Sequence, residues 1–223
     1  MKKETGLSRQ KYKIFIVDDH PIVRKGLSQL INQESDLVVN GEAPDAQSAL
    51  ELLKKLKPDL AIVDISLQGI DGIELTKTIR ARYGNLPVLV VSMHDESLFA
   101  ERALRAGARG YIMKQEAIEK MMEAIRRVIR GDLYVSEKVS AGIVKKFIDG
   151  KPESASSPEE LLSDRELEVF RLVGQGFGTR QIADQLHVSV KTVETYRANI
   201  KEKLNLKNAA ELIKHAVHWV ESR

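Results

Sequence analysis

Cysteine is absent from the 223 residues, so no disulfide framework can hold this fold together. A reducing, intracellular compartment is the simplest interpretation of that absence. Long hydrophobic runs are also missing. The longest mostly apolar stretch, residues 86–93, is far shorter than the roughly 18–20 residues that a membrane-spanning helix needs. Polar residues follow Lys2 and Lys3 where a signal peptide would have its apolar core, which predicts a cytoplasmic protein with no membrane partner.

A large excess of one charge is missing as well, because 35 basic side chains face 32 acidic ones. Residues 11–135 have no net charge, whereas residues 161–223 carry 10 basic and 8 acidic side chains. That small excess is weak support for a polyanionic partner, since a nucleic-acid footprint usually shows as a clustered basic face. The content of 43% hydrophobic and 30% charged residues excludes a disordered chain, and the length allows one large domain or two small ones.

Short, β-branched apolar runs alternate with segments of helical spacing through the first part of the chain. The runs lie at residues 14–17, 38–39, 60–63, 88–91 and 111–113, and the helical segments at 23–31, 46–55, 73–83, 98–106 and 117–130. Near-continuous apolarity indicates strands that are buried on both faces, and their alternation with helices is typical of a doubly wound parallel sheet. We therefore predict an α/β domain with a five-stranded parallel sheet over residues 11–133.

A linker is predicted over residues 134–160. Proline and serine concentrate at residues 151–158, which is linker composition, and residues 136–149 have the spacing of a linker helix. Residues 161–223 show helical spacing only, so a second, small all-α domain is predicted there.

Capping residues mark the helices of this second domain. Ser163 with Glu166 has the form of a capping box, and Thr179, Ser189 and Asn208 are the predicted N-caps of three further helices. The tight connection at residues 187–189 joins two of these helices, which predicts a helix-turn-helix.

Polar side chains stand at the ends of four predicted strands. Asp18 and Asp19 follow the first strand, and Asp64, Ser92 and Lys114 end the third, fourth and fifth. The carboxyl ends of parallel strands meet at one crevice, so these side chains are expected to be neighbours. Two carboxylates about 4 Å apart repel by roughly 4 kcal/mol at an effective dielectric near 20. One ammonium cannot neutralise three of them, whereas Mg²⁺ can, which predicts phosphoryl transfer with Asp64 as the nucleophile.

Simpler interpretations exist for each residue. Asp19 could cap the helix that begins at His20, and a lone Ser92 or Lys114 is usually a turn residue or a solvated side chain. An enzyme is the competing class, because hydrolases that form an aspartyl-phosphate also use doubly wound sheets. Their nucleophile usually ends the first strand in a D-x-D pattern, which Asp18-Asp19-His20 does not match, and no glycine-rich phosphate loop follows.

The residues around this acidic site resemble the receiver domain of two-component response regulators. The resemblance covers about residues 11–133 and rests on Val17-Asp18-Asp19-His20, Val63-Asp64-Ile65, Ser92 and Gly110-Tyr111-Ile112-Met113-Lys114. It implies a flavodoxin-like fold and a regulator that is at most a slow self-dephosphorylating enzyme. Gln68, where many receivers have proline, and Met93 and His94 after the serine are departures from the family pattern.

The resemblance also implies a role for each site residue. A sensor histidine kinase would phosphorylate Asp64 in a Mg²⁺-dependent step. The ion would be held by Asp18, Asp19, Asp64 and the backbone carbonyl of Ser66. Ser92 and Lys114 would contact the phosphoryl oxygens, and Tyr111 would be the switch aromatic that turns inward as Ser92 moves.

The predicted helix at residues 190–204 has one apolar and one polar face. On a helical wheel Val193, Ile200 and Leu204 form a buried stripe with Val190 nearby. The opposite face carries Lys191, Glu194, Thr195, Ala198, Asn199 and Glu202. A solvated surface is the common interpretation of a single charged helix. Small and polar residues at the start of the second helix of a helix-turn-helix are also what entry into the major groove requires.

Residues 162–206 resemble the LuxR-type helix-turn-helix of the NarL/FixJ regulators. The motifs are Ser163-Asp164-Arg165-Glu166, Gly174-Gln175-Gly176, Gln181-Ile182-Ala183 and Lys191-Thr192-Val193-Glu194-Thr195. The resemblance implies that the chain binds double-stranded DNA, with Lys191, Thr192, Glu194, Thr195, Tyr196, Arg197, Ala198 and Lys201 as the contact residues. Glu194 could accept a hydrogen bond from a cytosine amino group, and it equally repels phosphates.

Dimerisation is implied by the same resemblance, because two modules on adjacent half-sites gain avidity. The last helix, residues 209–220, would form the contact of a homodimer on activation, with Val217 exposed to the partner. Trp219 belongs either to that contact or to the core. The sequence leaves open the kinase, the stimulus, the operator, the phosphoryl lifetime, activation or repression, and whether the two domains mask one another.

Overall fold

The computed structural model describes residues 11–67, 69–93, 95–116, 118–148, 158–186 and 188–222. They form two compact units that divide between Asp149 and Gly150. Gln68, His94, most of the proline- and serine-rich stretch and the first residue of the predicted 187–189 connection lie outside the described residues. No helix within the described ranges is long and apolar enough to cross a membrane.

Five parallel strands form the sheet of the first unit, in the order β2-β1-β3-β4-β5. They are β1 Tyr12–Val17, β2 Leu37–Ala43, β3 Leu60–Val63, β4 Val88–Ser92 and β5 Gly110–Met113. This order confirms the predicted doubly wound sheet, in which the winding reverses between β1 and β3. Val17 pairs with Val63 in the register, so the carboxyl ends of β1 and β3 are level.

Helices cover both faces of this sheet. The first unit contains α1 Pro21–Gln33, α2 Ala46–Leu56, α3 Gly72–Arg82, α4 Glu96–Ala106, α5 Ile118–Ile129 and α6 Glu137–Ile148. Ile14 and Ile16 of β1 join one core cluster with α5 residues such as Ile125. Phe15 and Val17 are equally buried and face the other side, because successive strand side chains alternate. Two covered faces explain why residues 14–17 of β1 are apolar without interruption.

The second strand is longer than the two residues that the sequence predicted, since it spans seven residues. It is an edge strand, and its middle is Asn40-Gly41-Glu42, so its apolar pattern is weak. A Cβ at Gly41 would lie 2.8 Å from the ring of Phe15, so glycine is needed for close packing rather than for burial.

The helix expected at residues 136–149 is present as α6 and packs in the first unit. The Ser136 hydroxyl accepts a hydrogen bond from the Val139 amide (3.2 Å) and donates one to Glu96 Oε1 (2.9 Å). Val139 is 8% exposed. These contacts hold the start of α6 against α4.

The second unit is all helical, as predicted. It contains α7 Pro158–Leu161, α8 Asp164–Gly174, α9 Thr179–Gln185, α10 Val190–Lys203 and α11 Ala209–Glu221. The Ser163–Glu166 capping box is present, and Ser189 and Asn208 cap α10 and α11. Trp219 is 9% exposed, and its ring lies 5.5 Å from that of Phe170, so it belongs to the core.

Three details of the second unit correct the sequence predictions. Gly178, not Thr179, precedes α9, and its amide donates to Gln181 Oε1 (2.8 Å), because the glutamine three residues on supplies the capping acceptor. Val190 is 40% exposed rather than part of the buried stripe, since it occupies the first position of α10. Val217 is half-buried rather than exposed, and Ile213 is the large apolar side chain that α11 exposes.

Candidate functional site

The parallel register brings the first two carboxylates together. Asp18 and Asp64 leave the ends of β1 and β3, and each is 2% exposed. The Asp64 amide donates to the Val17 carbonyl (2.8 Å), and the Asp18 amide donates to the Ala43 carbonyl (3.2 Å). Backbone hydrogen bonds of the sheet itself therefore fix both acidic residues at the same edge.

Lys114 joins these two carboxylates. Its Nζ atom lies 2.6 Å from Asp18 Oδ2 and 2.8 Å from Asp64 Oδ2. The Lys114 amide donates to the Ser92 carbonyl (2.8 Å), which places the lysine directly after β5, level with the end of β4. Residues almost a hundred positions apart thus form one buried ion cluster.

Asp19 and His20 complete the acidic end of β1. His20 Nδ1 is 2.6 Å from Asp19 Oδ1 and 3.5 Å from Asp18 Oδ1. One ligand atom from each of Asp18, Asp19, His20 and Asp64 lies within 4.8 Å of all the others. Asp19 does not cap α1, because the N-cap residue is His20, whose side chain makes no capping hydrogen bond to the first turn.

Burial dominates the ionisation of this cluster. Burial raises the pKa of Asp64, and the charge of Asp18 acts in the same direction, while Lys114 opposes both. Burial lowers the pKa of Lys114, but the charge of Asp64 and the hydrogen bonds to Asp18 and Asp64 outweigh it and raise that pKa. The lysine is therefore held as a charged partner of the two carboxyl groups.

One oxygen of the Asp64 carboxylate has no hydrogen-bond donor within the described part of the chain. Asp64 Oδ1 is buried and has no partner of normal hydrogen-bond geometry among the described residues. A buried acceptor without a donor is costly, and a hard cation with oxygen ligands satisfies it. The donor set of Asp18, Asp19 and Asp64 fits a divalent cation of this kind.

Ser92 and Tyr111 lie beside this cluster. Ser92 ends β4 and is fully buried, and Tyr111 on β5 is 2% exposed. The two side chains share a hydrogen bond, and burial raises the pKa of the Tyr111 phenol. Tyr111 is thus turned inward in this structure. Ser66 is half-buried, and its backbone lowers the pKa of Asp64, so it lies next to the Asp64 carboxyl group.

The structural roles of two supporting residues were not predicted from the sequence. A Cβ at Gly72 would lie 1.9 Å from the Asp64 carbonyl oxygen, so only glycine allows α3 to begin against Asp64. The Asp71-Gly72 pair was the available signal. Arg24 donates from Nη1 to the Asp18 carbonyl (2.6 Å) and fixes the turn after β1 from inside α1. Nothing in the spacing of Arg24 distinguished it from a solvated arginine.

The open edge of β5 is covered by the chain that leads to α6. Tyr134 donates its amide to the Arg109 carbonyl (3.0 Å), and its carbonyl accepts from the Tyr111 amide (2.8 Å). The strand that carries Tyr111 therefore pairs on one side with β4 and on the other with this segment. Sequence composition gave no sign of that pairing.

The predicted DNA-contact residues lie along α10 and are exposed to different degrees. Lys191, Glu194, Thr195 and Ala198 are exposed, and Thr192, Tyr196, Arg197 and Lys201 are half-buried. Ser189 Oγ accepts from the Thr192 amide (3.0 Å), which gives α10 a well-formed N-terminus. Arg197 Nη1 donates to Thr179 Oγ1 (3.2 Å), so this arginine also ties α10 to α9.

Comparison with known families gives two matches. Residues 14–126 match the response regulator receiver domain, and residues 160–216 match the bacterial regulatory proteins of the luxR family. The oxygen regulatory protein NreC of Staphylococcus carnosus (strain TM300) is 37% identical over 209 residues, which cover 92% of this chain and 96% of that protein. NreC of Staphylococcus aureus (strain MRSA252) is 36% identical with the same coverage.

Solved structures give the same picture. A LuxR-family two-component response regulator from Aurantimonas sp. SI85-9A1 is 35% identical with a TM-score of 0.58, covering 62% of this chain and 99% of that one. RcsB of Salmonella enterica serovar Typhimurium, bound to promoter rprA with the phosphomimetic BeF₃⁻, is 26% identical with a TM-score of 0.58, covering 93% and 99%. A further RcsB–DNA complex is 29% identical with a TM-score of 0.57, covering 95% and 100%.

Proposed function

Because the chain belongs to the NarL/FixJ group of response regulators, which join a receiver domain to a LuxR-type DNA-binding domain, we propose that phosphorylation of Asp64 controls its binding to DNA. The observation that carries the proposal is the meeting of Asp18, Asp64 and Lys114 within hydrogen-bond distance at the sheet edge. The proposed domains are the receiver at residues 11–133, a linker at 134–160 and the DNA-binding domain at 161–223.

Asp64 is the proposed phospho-acceptor. A carboxylate oxygen of Asp64 forms a bond to the phosphorus of a phosphohistidine on a sensor histidine kinase, and the nitrogen–phosphorus bond of that histidine breaks. The kinase imidazole leaves and takes up a proton from solvent. Lys114 lies 2.8 Å from the Asp64 carboxylate and is already in place to pair with a phosphoryl oxygen.

Mg²⁺ is the proposed cofactor, held by Asp18, Asp19, Asp64 and the backbone carbonyl of Ser66. When bound, it neutralises charge on the transferred phosphoryl group. Asp18 and Asp64 are held by sheet hydrogen bonds, so the chain presents their oxygens without rearranging its backbone. Beyond accepting and slowly hydrolysing this phosphoryl group, we propose no enzymatic activity.

Ser92 and Tyr111 are the proposed switch residues. Ser92 now shares a hydrogen bond with Tyr111. A phosphoryl group on Asp64 offers the Ser92 hydroxyl a charged acceptor, which forms a stronger hydrogen bond than a neutral one. Ser92 then leaves Tyr111, and the change reaches β5, whose outer edge pairs with Tyr134.

Double-stranded DNA is the proposed partner of the second unit. Lys191, which is exposed, and Arg197 and Lys201, which are half-buried, would contact the DNA backbone. Tyr196 and Thr192 would contribute further contacts near the capped start of α10, where the backbone amides favour phosphate. Glu194, Thr195 and Ala198 would face the bases. Because DNA is the partner, we propose a cytoplasmic location.

A homodimer is the proposed DNA-binding form. One structure of the relative RcsB is described as two RcsB dimers bound to two parallel DNAs. A single α10 offers few cations, so one module alone gives weak, salt-sensitive affinity, and two on adjacent half-sites gain avidity. We propose that α11 contributes the contact between the two copies.

Phosphorylation with acetyl phosphate tests the central step. The full chain, incubated with acetyl phosphate and Mg²⁺, should gain one phosphoryl group by intact mass, and Asp64→Asn should gain none. Asp59→Asn is the matched control, since Asp59 is an exposed aspartate that precedes the same strand. Labelling that survives in Asp64→Asn removes Asp64 as the acceptor.

Binding to DNA tests the second step. The phosphorylated full chain should select a short repeated sequence from a random duplex library, and Asp64→Asn treated in the same way should select it less well. Equal selection by both proteins would separate DNA binding from the receiver.

A further inference from the structure

His20 is the one imidazole in the acidic cluster within the described residues. It stands directly after Asp19, and α1 begins at the next residue, Pro21. Proline restricts the preceding residue to extended backbone, and His20 has φ −89° and ψ 109°. Its amide donates to Asp18 Oδ1 (2.8 Å). The turn is thereby fixed, and it carries the imidazole towards the carboxylates rather than over the helix end.

The distances around His20 are those of atoms that surround one cation. His20 Nδ1 is 2.6 Å from Asp19 Oδ1 and 3.5 Å from Asp18 Oδ1, and the four ligand atoms of the cluster lie within 4.8 Å of one another. An octahedral ion with ligands at 2.0–2.1 Å sets adjacent ligands about 3.0 Å apart and opposite ones about 4.2 Å apart. The cluster is therefore close in size to the ligand shell of a single ion.

The lysine and the histidine lie against different oxygens. Lys114 contacts the Oδ2 atoms of Asp18 and Asp64, while His20 Nδ1 is near the Oδ1 atoms of Asp18 and Asp19. Asp64 Oδ1, buried and without a hydrogen-bond partner of normal geometry, is an independent sign that a ligand completes the cluster. A cation on the Oδ1 side can bind without displacing Lys114.

We propose that His20 is a direct ligand of the bound cation through Nδ1, and that it makes the site prefer a first-row transition ion over Mg²⁺. Mg²⁺ takes oxygen ligands and water, whereas an imidazole nitrogen favours the transition ions in the order Mn²⁺ < Fe²⁺ < Co²⁺ < Ni²⁺. This inference rests on the proposed function, because it takes the Asp18, Asp19 and Asp64 oxygens as the other ligands. It adds the residue that decides which ion they hold.

Pulsed electron paramagnetic resonance of Mn²⁺ bound to the unphosphorylated full chain tests the proposal. The wild-type protein should show ¹⁴N modulation from a directly bound nitrogen, replaced by a ¹⁵N pattern when histidine is ¹⁵N-labelled. His20→Asn should lose the modulation. Its dissociation constant for Mn²⁺ should rise by at least about tenfold, because loss of an outer-shell partner alone commonly costs 10–100-fold.

Competition with Mg²⁺ separates this inference from the proposed function. Mg²⁺ affinity in His20→Asn should stay within about twofold of the wild-type value, since the oxygen ligands remain. His215→Asn is the matched control, because His215 is exposed on α11, and it should keep the nitrogen signal. His94→Asn tests the histidine that follows β4 in the sequence and should also keep it.

Two results overturn the inference and leave the proposed function standing. One is Mn²⁺ that binds to the wild-type chain without ¹⁴N modulation, and the other is a nitrogen signal that persists in His20→Asn. A chain that binds neither Mn²⁺ nor Mg²⁺ refutes the inference and the magnesium site together. Because the ¹⁵N-histidine experiment uses the wild-type chain, the test holds even if His20→Asn fails to fold.

Discussion

Replacing Lys114 with methionine should cost the first unit much of its stability at neutral pH. The Nζ atom lies 2.6 Å from Asp18 and 2.8 Å from Asp64, and the lysine side chain is 10% exposed. Each contact is worth roughly 6 kcal/mol of gross attraction at an effective dielectric near 20, most of it offset by desolvation. Removing one partner of a buried pair leaves the other charge uncompensated, at a net cost of about 3–5 kcal/mol.

Differential scanning calorimetry of the full chain measures this loss. At about 2–4 °C per kcal/mol, the melting temperature of the first unit should fall by roughly 6–20 °C. Lys120→Met is the matched control, because Lys120 forms an exposed pair with Glu116, four residues earlier in the chain, and it should melt like the wild-type chain. A loss in Lys114→Met no larger than that of Lys120→Met would refute the buried ion cluster.

The pH dependence of the stability lost in Lys114→Met is an independent test of the same prediction. Burial and the charge of Asp18 already raise the pKa of Asp64 while Lys114 opposes them, so the pKa of Asp64 rises further in Lys114→Met. A carboxyl group whose pKa is raised by folding destabilises the native state above that pKa and ceases to do so as it takes up a proton. The deficit should therefore shrink as the pH falls from neutral through the raised pKa. A deficit that grows on acidification contradicts the argument.

Three further variants test other parts of the structure. Gly72→Ala should destabilise the first unit by about 1–3 kcal/mol and impair phosphorylation, because the new Cβ would overlap the Asp64 carbonyl oxygen. Gly26→Ala is the control and should have neither effect, because the space around Gly26 is open. Burial raises the pKa of Glu166, but its ion pair and capping hydrogen bonds outweigh burial and lower it, so the second unit should lose stability as the pH falls below about 4.5. Glu166→Gln should remove that slope in acid-unfolding curves. Lys191→Ala should weaken DNA binding for all sequences and reduce the salt slope by roughly one, and Lys214→Ala on α11 should leave the slope unchanged.

Each of these three predictions can be contradicted by a specific result. Normal stability in Gly72→Ala would mean that α3 can start further from the acceptor. An unchanged acid slope in Glu166→Gln would assign the acid loss to other carboxyl groups. An unchanged salt slope in Lys191→Ala would remove Lys191 from the DNA backbone.

The sequence predicted most closely the strands that are buried on both faces. β1 and β3 are covered on both faces, so their apolar runs are continuous and their ends were placed within a residue or two. β2 is an edge strand with glycine and glutamate in its middle, and its pattern gave only two of its residues. The strand ends in turn identified the acidic neighbours, because parallel register alone brings them together.

Side-chain contacts between separate helices and strands could not be predicted from the sequence. Thr179 fitted an N-cap, yet its hydroxyl accepts from Arg197 on the next helix, and Gln181 provides the capping acceptor for the amide of Gly178. His20 fitted a helix start, yet its imidazole lies against Asp19. In both cases a local pattern permits several partners, and the tertiary fold decides among them.

The charges of the acidic site give a physical reason why phosphorylation can switch it. When ionised, Asp18, Asp19 and Asp64 carry three negative charges. Lys114 offsets one of them, and a bound divalent cation would offset the other two. Phosphorylation replaces one carboxylate charge by a phosphoryl group of about −1.5 to −2. The added charge needs a new donor, and the buried hydroxyl of Ser92, now shared with Tyr111, is the neutral donor at the adjacent strand end. If Lys114 and the cation already neutralise the site, the negative charge added by the phosphoryl group attracts the Ser92 hydroxyl. The movement of Ser92 then affects the strand that carries Tyr111.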